Sequence, residues 1–392
     1  MAEPSVYSLH QFGEMILDEV RMAAHLGALQ AAISPGDVVI DIGTGPGTIA
    51  MLCVRLGAGH VYALDPDPAV RLARQAVRRN GMEDRITVIE GVSQDFSPPN
   101  PVDVIVSDLR DRLPLNGSHI RTIVDARSRL LRPGGAQIPR RDTLYAAPVS
   151  HPAAYDDLVA PWATERFDLD MRDVRTKVLN RHDAYRAEPE HLVAAPAAWG
   201  SIDYATVVDP DLRGECGWMI ERDATVHGLE VWFDADLGFG FGYSNAPGAP
   251  DLVYGTEFFP FAEPLDARAG DRVEVRLEAR HVKDTYLWRW STTHRREDEV
   301  RVSFTQSDLQ GSLDDPRTTL WRQRPEHVPS LSPEALATHV VLEAFRRGES
   351  VAAATRSLDD AAVDGYAGDQ AAAFVAALSA RYSDAEPDGS PP

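Results

Sequence analysis

The chain has 392 residues, of which 44% are apolar and 25% are charged, as in an ordinary globular protein. Its formal net charge of −21 argues against a general nucleic-acid binder, because an acidic surface repels phosphate backbones. A stretch of about 18 apolar residues and a signal peptide are both lacking, so we expect no membrane span and no secretion. The two cysteines, Cys53 and Cys216, lie far apart. They indicate no disulfide framework and fit a cytoplasmic location.

The first part of the chain alternates between helical and strand patterns. Residues 14–31 carry apolar residues at helical spacing, and strands and helices then take turns. Strands are predicted at 37–43, 60–65, 86–91 and 102–108, and helices at 48–58, 68–81 and 120–135. The last helix is expected to stop at its Pro-Gly-Gly. This order predicts an α/β fold with a Rossmann-like doubly wound sheet, in a first domain spanning residues 1–145.

The pattern changes beyond this domain. Residues 146–200 are mixed and are predicted to form a helical arm or connection. Residues 201–310 alternate apolar and polar side chains between turn residues, which predicts an antiparallel β-barrel domain. After a polar, proline-containing linker, residues 333–382 predict a small C-terminal helical segment. Residues 383–392 are typical of a disordered tail.

The stretch VVIDIGTGPG, residues 38–47, predicts a nucleotide-like ligand site. Asp41 ends a strand, and Gly43, Gly45 and Gly47 form the turn into a helix. Glycines let the backbone approach a ligand closely, and the helix N-terminus behind them supplies free N–H groups. A glycine turn that only packs helix against strand is the structural alternative. The spacing D-x-G-x-G-x-G differs from the dinucleotide fingerprint and resembles the S-adenosylmethionine (SAM) loop of Rossmann-like methyltransferases.

Two more segments support a nucleoside ligand. Asp65 closes the second strand, where a carboxylate takes the ribose hydroxyls, and Ser93 follows the third strand at the expected adenine edge. Ser107 ends the fourth strand and completes the predicted cofactor contacts. The loop has no basic residue placed for a pyrophosphate, which argues against NAD. Metal-ligand spacing of His, Asp or Glu is also lacking, so we expect no metal.

The segment YSLHQFGEMILDEVRM, residues 7–22, resembles the N-terminal helix of the protein arginine methyltransferase family. Met15, Asp18 and Arg21 occupy the places of that family's M-L-x-D-x-x-R pattern. The resemblance covers about residues 5–307, and it implies that Arg21 pairs with the methionine carboxylate of SAM. It also implies a β-barrel after the sheet, a dimerisation arm between the two, and a homodimer.

The chain departs from this family where the substrate guanidinium would bind. Asp108 stands at the place of the first of two family glutamates, and Gly117 falls at about the place of the second. The family's threonine-histidine-tryptophan loop is replaced by LVYG, residues 252–255, of which only the aromatic Tyr254 is kept. A guanidinium without a second carboxylate is underpaired. Arg110 and Arg112 suggest a pocket mouth that receives a carboxylate, and a solvated turn with local ion pairs is the structural alternative.

The predicted catalytic residues are Asp108, which orients the nucleophile and takes its proton, and Tyr254 and Tyr7, which line the pocket. The leading hypothesis is a SAM-dependent methyltransferase that acts on a nitrogen of a peptide, protein or amino acid. A small-molecule or carboxylate O-methyltransferase is the alternative within enzymes. A SAM-binding, non-catalytic scaffold is the alternative of another class.

Overall fold

The computed structural model describes residues 7–162, 169–313, 333–346, 349–361, 363 and 365–383. The chain divides into two compact units, Met1–Arg324 and Pro325–Pro392. The predicted tail, except for Ser383, lies outside the described residues, as does most of the predicted linker. None of the described helices is long and apolar enough to cross a membrane.

A parallel sheet forms the first half of the larger unit. Its strands follow the order β3-β2-β1-β4-β5, so the chain reverses direction across the sheet between β1 and β4. In such sheets, ligands bind at the carboxyl ends of the strands beside this reversal point. The strands are β1 Val38–Ile42, β2 His60–Asp65, β3 Ile86–Glu90, β4 Val102–Ser107 and β5 Leu131–Ile138. Helices α3 Thr48–Arg55, α4 Val70–Arg79 and α5 His119–Arg129 connect them.

Two details of the sequence prediction were wrong. The single helix over 14–31 is two helices, α1 Leu9–Leu17 and α2 Glu19–Ala32. Asp18 separates them because its backbone is extended and its side chain accepts a hydrogen bond from Arg21 N, which caps α2. The helix predicted to end at Pro-Gly-Gly ends at Arg129, and those residues instead lie in β5, which pairs with β4 at the sheet edge.

Two antiparallel sheets follow. One has the order β7-β12-β10-β6-β8, with β11 paired to β10, and the other has the order β15-β14-β13-β9. Strand β6 crosses the domain boundary predicted at residue 145. The strands are β6 Arg141–Val149, β7 Asp183–Ala184, β8 Ala197–Asp203, β9 Leu212–Met219, β10 Ala224–Gly238, β11 Phe241–Ser244, β12 Glu257–Ala267, β13 Arg272–Val282, β14 Thr285–Arg296 and β15 Glu299–Ser307.

Short helices lie between these strands and after them. Helices α6 Pro152–Val159 and α7 Arg172–Leu179 fall in the predicted arm, and α8 Asp308–Gly311 follows the last strand. A buried apolar cluster packs α2 and the parallel sheet together with the antiparallel sheets. The smaller unit contains α9 Pro333–Arg346, α10 Val351–Asp360 and α11 Asp369–Ser383, which share a core of alanine, valine and leucine side chains.

Candidate active site

The glycine loop lies at the carboxyl end of β1 and lines a cavity of about 340 Å³. Gly43, Gly45 and Gly47 have φ angles of +79°, +51° and +87°, which side chains rarely adopt. A Cβ atom on Gly45 would lie 2.8 Å from the ring of Phe12 in α1. The loop consists largely of glycine for two reasons: the turn requires a left-handed backbone, and α1 passes too close to leave room for a side chain at Gly45.

Two carboxylates hold this loop in place. Asp41 accepts a 2.6 Å hydrogen bond from Thr44 Oγ1, and burial raises the pKa of Asp41 to about 7. Asp65 accepts hydrogen bonds from Gly45 N at 2.7 Å and Asp67 N at 2.8 Å. Burial also raises the pKa of Asp65 above its ordinary value. Both side chains line the cavity, and ribose binding by Asp65 stays a prediction.

Arg21 reaches the cavity from α2 and is paired with Asp108 at the end of β4. Arg21 Nη2 lies 2.7 Å and Arg21 Nε 2.8 Å from Asp108 Oδ2. Burial opposes the charge of Arg21, but Tyr254 and Asp108 outweigh it and raise the pKa of the guanidinium. The resemblance assigns Arg21 to the cofactor carboxylate, and that role also stays a prediction.

Asp108 lies at the centre of a buried network of charged and aromatic groups. Tyr254 Oη donates a 2.5 Å hydrogen bond to Asp108 Oδ2, and Arg110 Nε lies 3.1 Å from Asp108 Oδ1. Burial alone would raise the pKa of Asp108, but Arg21 and Arg110 hold that pKa well below its ordinary value. Asp108 is therefore an ionised carboxylate across the physiological pH range.

Asp18 also ties the Tyr254 loop to the N-terminal helices. Asp18 Oδ2 accepts a 2.9 Å hydrogen bond from Val253 N, while Asp18 Oδ1 caps α2. The loop between β11 and β12 and the start of α2 are thus positioned by one side chain. This contact explains how Tyr254, from the antiparallel half, comes to lie beside Arg21.

The two arginines predicted at a pocket mouth differ in position. Arg110 is 3% exposed and lines the cavity, where Nη1 lies 3.0 Å from Asp142 Oδ1 and the guanidinium packs over the Tyr243 ring. Its Nη2 is buried with no hydrogen-bond partner among the described residues. Arg112 is outside the cavity lining, and its Nε lies 2.6 Å from Glu257 Oε1.

The remaining predicted residues lie close to the cavity. Tyr7 and Ser93 are part of its lining, and the Tyr7 ring contacts Phe12 edge-on at 5.7 Å. Ser107 is fully buried at the end of β4 but is not among the lining residues. Its contact with a cofactor stays a prediction. The described residues contain no group of His, Cys, Asp and Glu side chains that could hold a metal ion.

Two buried histidines that line the cavity, His25 and His119, were not predicted from the sequence. His25 lies four residues after Arg21 and hence on the same face of α2, a spacing that could have identified it. Burial lowers the pKa of His25 to about 4 and that of His119 to about 3, so both imidazoles are neutral at pH 7. The His119 ring stacks on Tyr204 at 5.3 Å.

The cavity residues fit SAM as a ligand. The bare glycine turn, the carboxylate of Asp65 and the charged group at Arg21 lie along one continuous cavity, at the reversal point of the sheet. Their chemistry suits a nucleoside and an amino-acid moiety, which are the two parts of SAM. This combination of fold and site defines a Rossmann-like methyltransferase.

Comparisons with known proteins agree. The family model described as "Ribosomal protein L11 methyltransferase (PrmA)" matches residues 22–138. An arginine N(omega)-methyltransferase of Streptomyces achromogenes subsp. streptozoticus is 30% identical over 271 residues, which are 67% of this chain and 74% of the relative. A probable protein arginine N-methyltransferase 6 of Arabidopsis thaliana is 31% identical over 57% of this chain. The chain spans about half of that relative's length, 53%.

Solved structures show the same fold. The Trypanosoma brucei PRMT1 enzyme-prozyme complex with AdoHcy aligns with a TM-score of 0.71 and 22% identity, over 77% of this chain and 98% of that chain. Arabidopsis thaliana protein arginine methyltransferase 10 aligns with a TM-score of 0.68 and 21% identity, over 76% and 97%. The chain belongs to the protein arginine methyltransferase-like family of SAM-dependent methyltransferases.

Proposed function

We propose that the protein transfers the methyl group of SAM to a nitrogen atom of a peptide, protein or amino-acid acceptor. The observation that carries this proposal is the position of Asp108, an ionised carboxylate in the same cavity as the glycine loop and Asp65. The names of the relatives, which are arginine N-methyltransferases, support a nitrogen acceptor. Family membership supports SAM as the methyl donor.

The chain's own residues bind and orient the two reactants. SAM supplies a methyl group on an electrophilic sulfonium. The backbone of the glycine loop and Asp65 hold the nucleoside, and Arg21 binds the methionine carboxylate while keeping its contact with Asp108. Asp108 accepts a hydrogen bond from the acceptor nitrogen and aligns its lone pair with the methyl group, with Tyr7 and Tyr254 lining the pocket. Much of the rate comes from this alignment.

A labelling experiment tests the proposal. Purified protein is incubated with methyl-labelled SAM and an extract of its source organism, and the products are separated by size. One portion of each fraction is treated with mild base, and another is hydrolysed in acid. Label in an acid-stable methylamine or methylguanidine supports nitrogen transfer. No label in any fraction, from protein that still binds SAM, contradicts the proposal and favours a scaffold.

A carboxylate O-methyltransferase is the second candidate, and one observation favours it. Arg110 Nη2 is buried in the cavity region without a partner among the described residues, so it could donate a hydrogen bond to a carboxylate. Base-labile label in the same experiment supports this candidate. Arg110 and Arg112 then become the substrate-binding residues to substitute next.

We also infer that the protein forms a homodimer and works in the cytoplasm. A structural neighbour of the same fold is described as a heterotetrameric complex, and helices α6 and α7 fall where the family resemblance places an arm. Both cysteines are free and buried, which fits a reducing compartment. Light scattering after gel filtration tests the dimer, and a monomer mass at micromolar concentration contradicts it.

A further inference from the structure

The loop that follows β3 contributes to the cavity at the end predicted to hold the nucleoside. This β3 loop, residues 91–97, supplies its first four residues to the cavity lining. It begins beside Asp65, because Gly91 N donates a 3.0 Å hydrogen bond to Asp65 O. Gln94 Nε2 donates to Thr122 Oγ1 of α5 at 3.2 Å, and Thr122 also lines the cavity. The β3 loop therefore connects Asp65 with α5, and the shape of the cavity there depends on it.

The β3 loop has little regular structure of its own. It contains one turn of 3-10 helix, Ser93–Asp95. Two backbone hydrogen bonds of 3.2 Å close this turn, from Asp95 N to Val92 O and from Phe96 N to Ser93 O. Single turns of this kind have poor hydrogen-bond geometry and open easily. The conformation of the loop must therefore be maintained by contacts with neighbouring elements.

Arg129, the last residue of α5, makes such contacts with the β3 loop. Its Nη2 donates to Ser93 O at 2.7 Å, and its Nη1 donates to Phe96 O at 2.8 Å. Nη1 also lies 3.4 Å from Ser97 Oγ. These contacts reach both ends of the turn, so one guanidinium fixes the position of the turn relative to α5.

Asp125 orients the guanidinium of Arg129. It accepts from Arg129 Nε at 3.1 Å and from Nη2 at 2.8 Å. Together with the loop contacts, these bonds use all five N–H groups of the guanidinium, whereas a lysine ammonium offers only three. The two side chains are 34% and 31% exposed, so the attraction between their charges contributes little by itself. The contribution of this pair is therefore geometric.

We propose that Arg129 is a positioning residue for the cofactor, which keeps the β3 loop in the conformation that receives the nucleoside of SAM. This inference rests on the proposed function, since it takes SAM as the methyl donor. Arg129 is not among the lining residues, so it acts through the loop. Without Arg129 the loop would become ordered only when the ligand binds, and the cost of ordering it would lower the affinity.

Two ligands that share the adenosine part of SAM test the proposal on the full chain. S-adenosylhomocysteine also has the amino-acid part, whereas 5′-methylthioadenosine lacks it. In isothermal titration, we expect Arg129→Ala to weaken both ligands by the same factor, about 10-fold, because hydrogen bonds from a charged group are lost. Arg129→Lys keeps the charge but offers fewer donors, so its affinities should lie between those of Arg129→Ala and the unsubstituted protein.

Arg132→Ala is the matched control. Arg132 is also a surface arginine paired with a carboxylate, with Nε 2.6 Å from Asp103 Oδ1, but it does not contact the β3 loop. We expect this variant to bind both ligands with unchanged affinity. Hydrogen exchange measured by mass spectrometry on residues 91–97 should be faster in ligand-free Arg129→Ala, but not in Arg132→Ala, and should slow again when S-adenosylhomocysteine is added.

The outcomes separate this inference from the proposed function. Equal affinities of Arg129→Ala and the unsubstituted protein, a loss confined to S-adenosylhomocysteine, or equal exchange of the β3 loop would each overturn the role of Arg129 and leave methyl transfer intact. Failure of the unsubstituted protein to bind S-adenosylhomocysteine would overturn both. Binding of S-adenosylhomocysteine without transfer of label would contradict the proposed function alone.

Discussion

Replacing Arg110 by methionine should destabilise the larger unit strongly. Arg110 and Asp142 are paired at 3.0 Å, with both side chains fully buried. The substitution leaves Asp142 with Tyr204, whose Oη donates to it at 2.5 Å, as its remaining side-chain partner among the described residues. Removing one partner of a buried ion pair costs about 3–5 kcal/mol. We therefore expect Arg110→Met to lower the free energy of unfolding by about 3–5 kcal/mol.

A double substitution distinguishes lost pairing from lost volume. Arg110→Met combined with Asp142→Asn removes both charges, so its effect should fall short of the sum of the single effects by about 1–3 kcal/mol. Arg141→Met is the matched control, since Arg141 pairs with Asp203 at 2.8 Å but both are partly exposed. An exposed pair of this kind contributes about 0–1 kcal/mol.

Urea unfolding followed by tryptophan fluorescence measures these values. All seven tryptophans precede residue 325, so the signal reports the larger unit without contribution from the smaller one. Additive effects of the two substitutions, or an Arg110→Met effect no larger than that of Arg141→Met, would refute the buried network described for this site.

Three further substitutions test the glycine loop, Asp108 and a buried glutamate outside the cavity lining, Glu230. Gly45→Val should abolish detectable SAM binding in calorimetry, because the φ angle of Gly45 is +51° and the Phe12 ring is adjacent. Gly81→Val is the control and should leave binding unchanged, because Gly81 has a similar φ angle of +63° but is exposed. Asp108→Asn should lower kcat/KM about 100-fold or more in the methyl-transfer assay; unchanged activity would remove Asp108 from the mechanism. Burial raises the pKa of Glu230 to about 8, so its protonated form stabilises the fold at low pH and this stabilisation is lost as pH rises from about 4.5 to 8. As pH rises across this range, the unfolding free energy of the unsubstituted protein should therefore fall relative to that of Glu230→Gln, by up to about 1.4 kcal/mol per pH unit. Parallel pH profiles of the two proteins would contradict this expectation.

Periodicity and turn chemistry were enough to predict the parallel sheet. The strands β1 to β4 follow from short apolar runs between glycine, aspartate and helical segments, and the glycine loop identified the end of β1 that lines the cavity. Strand β5 was missed because Pro133, Gly134 and Gly135 disfavour strands in general. Strand β5 lies at the edge of the sheet, where fewer ladder hydrogen bonds are needed, so this position tolerates the proline and the two glycines.

The network around Asp108 was beyond sequence reasoning because its members are distant along the chain. Arg21, Asp108 and Tyr254 come from α2, β4 and the loop before β12 and meet only through tertiary folding. Arg110 was predicted to bind a substrate carboxylate at a pocket mouth, and that contact stays a prediction; its pairing with Asp142 inside the protein was not predicted. The pairing of Arg110 with Asp142 depends on the position of β6 beside β10. No local sequence pattern indicates that position.

We propose that the cavity at the carboxyl ends of β1 and β2 binds SAM through the glycine loop and Asp65. Isothermal titration of the full chain with SAM, compared with Asp65→Asn, tests it most directly. We predict saturable binding with one SAM per chain, weakened about 10–100-fold in the variant because a carboxylate that accepts hydrogen bonds is lost. Absence of binding by the unsubstituted protein would contradict SAM binding in this cavity, and equal affinity in both would contradict the role of Asp65.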